Sequence, residues 1–238
     1  MNAIILAAGW GSRLGGISNS IPKALLPLGR RRVLDIILRE LDRPEIHTVN
    51  ISHASRWSSA FRSWKENCMV RKYVKLHANG VLDIKNRIGS VGDLGLVIRR
   101  TSSRAPIFVC CGDNIFRFKD LSGEGSAITI RRFDGLSDSL KKSGFGRVSV
   151  RDGLVDKVTK VVGDHVFAGP FYLDEQAQEF LLEYCENSRK AGVLPDDLGD
   201  FISCLAMKQQ VRVVLDEDKF LDIGTEAGLN EAREFYRK

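Results

Sequence analysis

The stretch AIILAAGWGSRLGGISNSIPKALLPL, residues 3–28, constrains the chain more than any other. Ala3 to Ala8 is a short, nearly uninterrupted apolar run, and its length predicts a strand buried on both faces. A glycine-punctuated loop follows, from Gly9 to Gly16. Gly9 and Gly11 let main-chain N–H groups approach a ligand that a Cβ would exclude. Such a loop can cradle phosphate. Behind it stand Arg13, a bidentate fork for phosphate oxygens, and Lys23, a point charge whose backbone Pro22 fixes. A strand, a bare-backbone loop and two separated cations suit a nucleoside triphosphate.

Two familiar phosphate motifs do not match. A dinucleotide fingerprint needs glycine where Leu14 stands, and a P-loop needs a Gly-Lys-Ser/Thr ending that is absent here. The stretch instead resembles the signature of the sugar nucleotidyltransferases, or NDP-sugar pyrophosphorylases: Leu-Ala-Ala/Gly-Gly-x-Gly-(Ser/Thr)-Arg-Leu, then Pro-Lys. Gly9, Gly11, Ser12, Arg13, Leu14, Pro22 and Lys23 match it.

Further along, short strands alternate with helices. Helical spacing runs from Val33 to Leu41, a strand is expected at Thr48–Ser52, and Trp57, Phe61 and Trp64 mark one apolar helix face. Val74 to His77 is a third strand. This alternation predicts a mostly parallel sheet with ligands beyond the carboxyl ends of its strands. The run IFVCC, residues 107–111, ends abruptly in Gly112-Asp113-Asn114 and places a carboxylate at such an end. Later strands are expected at Ala127–Ile130, Phe145–Val148, Leu154–Lys160 and Val211–Leu215. Helices are expected from Glu175, from Asp196 and from Leu229. Asp93 reads as an acidic residue early in a helix, Asp196 and Asp197 as helix-start charges, and Asp216-Glu217-Asp218 as a turn.

The resemblance extends to these later motifs. Gly112-Asp113 matches the family's magnesium-binding aspartate, and Phe220-Leu221-Asp222-Ile223-Gly224-Thr225 the motif that supplies the second carboxylate, Asp222. It implies a Rossmann-like three-layer α/β/α fold with a mostly parallel mixed sheet and a small acceptor-binding lobe. One catalytic domain over 1–238 is expected, with 1–114 mainly nucleotide-binding, 115–215 mainly acceptor-binding, and 216–238 closing the metal motif. Implied nucleotide contacts are Leu6, Ala7, Ala8, Gly9, Gly11, Ser12, Asn79, Gly89 and Asp113. Implied acceptor contacts are Gly146, Lys160 and Gly169, and Mg2+ falls to Asp113 and Asp222. Arg13 and Lys23 are the implied catalytic cations. The chain departs from the family where Glu-Lys-Pro is usual, reading Thr159-Lys160-Val161.

The implied reaction joins a nucleoside triphosphate and a sugar 1-phosphate into an NDP-sugar and pyrophosphate. The rivals are a cytidylyltransferase for an alcohol phosphate such as phosphocholine, and a non-catalytic module that binds nucleotide-sugars. Charge distribution is consistent with a polyanionic substrate: residues 1–110 carry 18 Lys and Arg against 7 Asp and Glu, and residues 111–238 carry 18 against 23. Basic residues are scattered and aromatics are 8%, so a nucleic-acid surface is not expected. Five cysteines without Cys-x-x-Cys spacing argue against zinc and disulfides. Lacking a leader or an apolar run near ~20 residues, the chain is expected to be cytoplasmic and free of membrane. Homo-oligomerisation stays open.

Overall fold

The computed structural model describes residues 1–68, 73–102 and 104–237. The first half of the chain runs through β1 (Asn2–Leu6), the hairpin β2 (Pro27–Leu28) and β3 (Arg31–Arg32), α1 (Val33–Glu40), β4 (Thr48–His53), α2 (Ser58–Glu66), β5 (Tyr73–Ala78), α3 (Ser90–Thr101) and β6 (Ile107–Cys111). The second half follows with β7 (Asn114–Ile115), β8 (Ser126–Arg132), α4 (Asp138–Lys141), β9 (Arg147–Arg151), β10 (Leu154–Thr159), β11 (His165–Leu173), α5 (Glu175–Lys190), α6 (Leu198–Ala206), β12 (Val211–Leu215), β13 (Leu221–Asp222) and α7 (Glu226–Phe235).

Nine strands form one sheet in the order β5-β4-β1-β6-β11-β8-β12-β10-β9. The strands of the first half are parallel, β5 to β4, β4 to β1 and β1 to β6. Antiparallel pairing enters with β11, so the sheet is mixed, parallel on the side of the glycine loop. The predicted two-sided burial of β1 explains the layering. Ala3 and Ile5 enter a core with α1, α2 and α7, whereas Ile4 and Leu6 enter a second core with α3, α5 and α6. The result is three layers, α/β/α.

In the second half β11 changes neighbours along its length. His165 and Val166 pair with β9, and Phe171 to Leu173 pair with β6. Gly169, at φ 131°, lies in the irregularity between these segments. The pairings β11–β8, β8–β12, β12–β10, β10–β9 and β9–β11 close on themselves, giving the lobe beside the parallel sheet its own rounded form. No helix among the described residues is long and apolar enough to cross a membrane.

Two local features bring the chemistry together. Gly112 crosses against the end of β1, its N–H donating to Leu6 O at 2.8 Å. A Cβ there would stand 2.9 Å from the Ala7 Cβ and 3.1 Å from Leu6 O, both rigidly held. Gly112→Ala is therefore expected to cost about 1–3 kcal/mol by overpacking, read as a lowered urea midpoint at unchanged slope. The short pair β7 and β13 sets Asp222 opposite Asn114, and Ile223 N–H donates to Asp113 O at 2.9 Å. Two carboxylates 109 positions apart in sequence thus become neighbours.

Candidate active site

Beyond the carboxyl ends of the parallel strands lies a cleft with two adjoining halves, of ≈ 260 and ≈ 310 Å³. The first is walled by Gly9–Arg13 on one side and by Asn79, Arg87–Ser90 and Asp93 on the other. The second is walled by Asp113, Asp222, Ser143–Gly146, Phe167, Gly169 and Asp196–Gly199. Ala8, Gly9, Arg13, Lys23, Ser90, Asp93 and Asp196 line both halves.

Lys23 sits at the seam. Its ammonium pairs with Asp113, the two side chains being only 13% and 20% exposed. It also lies directly beneath Gly9, whose missing Cβ would be 3.4 Å from the Lys23 Cε. Burial works against the ammonium, but Asp113 and Asp222 outweigh it and hold the Lys23 pKa above the usual lysine value. Arg13 is anchored by a 2.9 Å hydrogen bond from its Nη1 to Ser143 O. A Cβ on Gly224 would come within 3.3 Å of the Arg13 Nη2 and 3.0 Å of the Asp222 Oδ1, so this glycine lets the guanidinium and carboxylate approach.

Asp222 is 5% exposed. Its Oδ1 accepts from Asn114 Nδ2 at 3.2 Å and Gly224 N–H at 3.0 Å. Burial first, then the charge of Asp113, push its carboxyl above the usual aspartate range. Two carboxylates face one cleft, and Asp222 is raised by burial and then by Asp113. That is the donor set of a hard divalent cation that keeps several waters and completes its shell with substrate phosphate oxygens. Asp113 and Asp222 are the candidate ligands; among the described residues no group of three or more His, Cys, Asp or Glu converges to hold a metal ion by itself.

Of the residues implied by the sequence, the structure brings Leu6, Ala8, Gly9, Gly11, Ser12, Arg13, Lys23, Asn79, Gly89, Asp113, Gly146, Gly169 and Asp222 to the cleft walls. Ala7 and Lys160 are not on those walls. Ala7 faces the core and donates its N–H to Ser52 O. Lys160 pairs with Asp197 and reaches the cleft only through that carboxylate. Thr159 turns away, its hydroxyl donating to Val162 O at 2.8 Å and accepting from Val162 N–H at 2.8 Å.

The segment 195–197 closes the far wall, which sequence reasoning missed. Pro195 O accepts from Val91 and Gly92 N–H, and Asp196 Oδ1 accepts from Ser90 N–H at 3.1 Å. Gly89, at φ 78°, is where that strap docks, for a Cβ would strike Pro195 O. Asp197 caps α6 through Gly199 and Asp200 N–H, as its helix-start reading predicts, while also lining the acceptor half. No local pattern reveals the bond of Asp196 to α3, because its partner lies 106 residues away.

This arrangement is that of a nucleotide-handling transferase, and a family model described as "Nucleotidyl transferase" matches residues 2–238. The chain belongs to that family. A sequence comparison with curated proteins gives no match. Among solved structures, one assigned as a glucose-1-phosphate thymidylyltransferase from Bacillus anthracis is similar at TM-score 0.77 and 20% identity, covering 100% of this chain and 96% of that one. The CTP:phosphocholine cytidylyltransferase from Streptococcus pneumoniae aligns at 0.74 and 18%, covering 98% of each chain. A UDP-glucose pyrophosphorylase complexed with UDP-glucose aligns at 0.76 and 16%, covering 99% and 98%. At these identities the likeness is one of fold.

Proposed function

We propose that the protein transfers a nucleotidyl group from a nucleoside triphosphate to a sugar 1-phosphate, releasing pyrophosphate. The observation that carries this reading is the seam itself. The two cavities share Arg13 and Lys23, and just inside the second stand Asp113, paired with that lysine, and Asp222, where the phosphates of two substrates would have to meet. An acceptor phosphate oxygen forms a bond to the α-phosphorus as the bond to the leaving pyrophosphate breaks in line. The acceptor is already an anion, so catalysis rests on positioning and charge neutralisation and needs no general base. Lys23 faces the α-phosphate and Arg13 the leaving β- and γ-phosphates. Asp113 and Asp222 would hold Mg2+, which supplies positive charge to the phosphate oxygens.

A second reading, cytidylyl transfer to an alcohol phosphate such as phosphocholine, draws support from the acceptor half. Phe145, Phe167, Asp196 and Asp197 line it, and aromatic faces beside carboxylates suit a quaternary ammonium. Pyrophosphate release with magnesium decides, measured for each of dTTP, UTP, GTP, CTP and ATP against sugar 1-phosphates and phosphocholine. Release that requires one triphosphate and a sugar 1-phosphate is the expected result. Release with phosphocholine alone would replace it by the second reading. Nucleotide binding without release from any pair would point to a binding module.

A further inference from the structure

Asp93 is a buried carboxylate that the proposed chemistry does not use. It is 7% exposed, stands in the first turn of α3 and lines both halves of the cleft. Its Oδ1 accepts a 2.9 Å hydrogen bond from Asn79 Nδ2, and among the described residues that is its one side-chain hydrogen bond. A carboxylate at a helix start ordinarily caps free N–H groups. Here those groups are taken: Ser90 N–H by Asp196, Val91 and Gly92 N–H by Pro195 O, and the N–H of Asp93 by Gly89 O. Asp93 therefore carries the cost of burial without a capping role. Burial, with Asp196 nearby adding to it, pushes its carboxyl up to about 6.

Asn79, the residue implied as a base contact, is committed to the protein. Its Oδ1 accepts from Ser55 N–H at 3.3 Å and Val81 N–H at 2.9 Å, and its Nδ2 holds Asp93. With Oδ1 held by that amide, Oδ2 is left without a protein hydrogen bond among the described residues, on a side chain that lines the cleft. Resting on the nucleotidyl-transfer reading, we propose that Asp93 selects the nucleoside, its Oδ2 accepting a hydrogen bond from an N–H or O–H donor of the bound triphosphate. Three groups have that chemistry: the exocyclic amine of an amino-bearing base, the ring N–H of uracil, thymine or guanine, and a ribose hydroxyl. Where cytosine presents its amine, uracil and thymine present a carbonyl oxygen, and where uracil presents its ring N–H, cytosine presents a bare ring nitrogen, so each arrangement favours a different triphosphate.

The test is calorimetric binding of CTP, GTP, UTP, dCTP and dTTP in magnesium without acceptor, on the wild type, Asp93→Asn and Asp93→Ala. The asparagine is isosteric, and with Asn79 Nδ2 holding its carbonyl it turns an NH2 donor toward the cleft. If the base amine is read, wild type binds CTP or GTP about 10- to 100-fold tighter than UTP, and Asp93→Asn inverts that ratio. If the ring N–H of uracil is read, wild type favours UTP over CTP by a similar factor, and Asp93→Asn, whose NH2 donates to the bare cytosine ring nitrogen, shifts the preference to CTP. If the ribose is read, wild type favours CTP over dCTP by a similar factor and Asp93→Ala abolishes the difference. Asn, whose NH2 a hydroxyl oxygen can accept from, retains part of it. Ratios that stay put in both variants while the triphosphates still bind would overturn the proposal alone. Failure of the folded wild type to bind any triphosphate would overturn the transferase reading along with it.

Discussion

Lys23→Ala is expected to lower kcat by about 100- to 1,000-fold, equivalent to about 2.7–4 kcal/mol of barrier by analogy with a lost oxyanion donor. The lysine is held by its paired carboxylate Asp113 and passes under Gly9, where only the lack of a Cβ leaves it room, so its charge is placed before substrate arrives. A preorganised cation needs little reorganisation as charge builds on the α-phosphate, which is why its removal falls on kcat. Lys23→Arg should not rescue, because the planar guanidinium is broader than the ammonium and would have to fit between Gly9 and Asp113. The fold should survive, since both members of the pair border the cleft and water can replace the lost partner. Single-turnover pyrophosphate release, with circular dichroism as the folding control, checks this. Near-normal turnover in folded Lys23→Ala would remove the lysine from the mechanism.

The parts of this site legible in sequence are those whose chemistry is local. The glycine loop, Pro22-Lys23, and the aspartates of Gly112-Asp113 and Asp222-Ile223-Gly224 each combine residue type and spacing within a few positions, and the structure places them on one cleft. Likewise β1 is readable because burial on both faces leaves an unbroken apolar run. Asp93 is different, since nothing around it in sequence separates a capping carboxylate from a ligand-facing one. Its role depends on which groups take the N–H donors of α3, and those come from Pro195 and Asp196. Asp216 shows the same limit: the Asp216-Glu217-Asp218 run reads as a turn, yet Asp216 is buried against Arg131, whose guanidinium stacks on Phe220. The rounded closure of β8 through β12 also escapes local reading, because β11 exchanges β9 for β6 at Gly169.

Asp222→Asn separates stability from turnover and so tests the carboxylate pair directly. The wild-type carboxyl is raised above its unfolded value, by burial first and Asp113 next. A raised carboxyl binds its proton more tightly in the folded state, so stability is gained as pH falls through that window and lost as pH rises above the folded pKa. At neutral pH the ionised Asp222 carboxylate therefore opposes folding. Asparagine keeps the Oδ1 that accepts from Asn114 and Gly224 N–H while removing the charge. In EDTA at neutral pH, Asp222→Asn should melt at or above the wild-type temperature, and the difference should shrink as pH is lowered toward the unfolded carboxylate range. Turnover in magnesium should nevertheless fall at least about 100-fold, or about 2.7 kcal/mol, because one of two proposed oxygen ligands has lost its charge. A variant both less stable in EDTA and still active would show that Asp222 serves the β13 turn and not the phosphates. The opposite pair of results would mean that the protein tolerates like charges at this seam because its substrates and their cation require them.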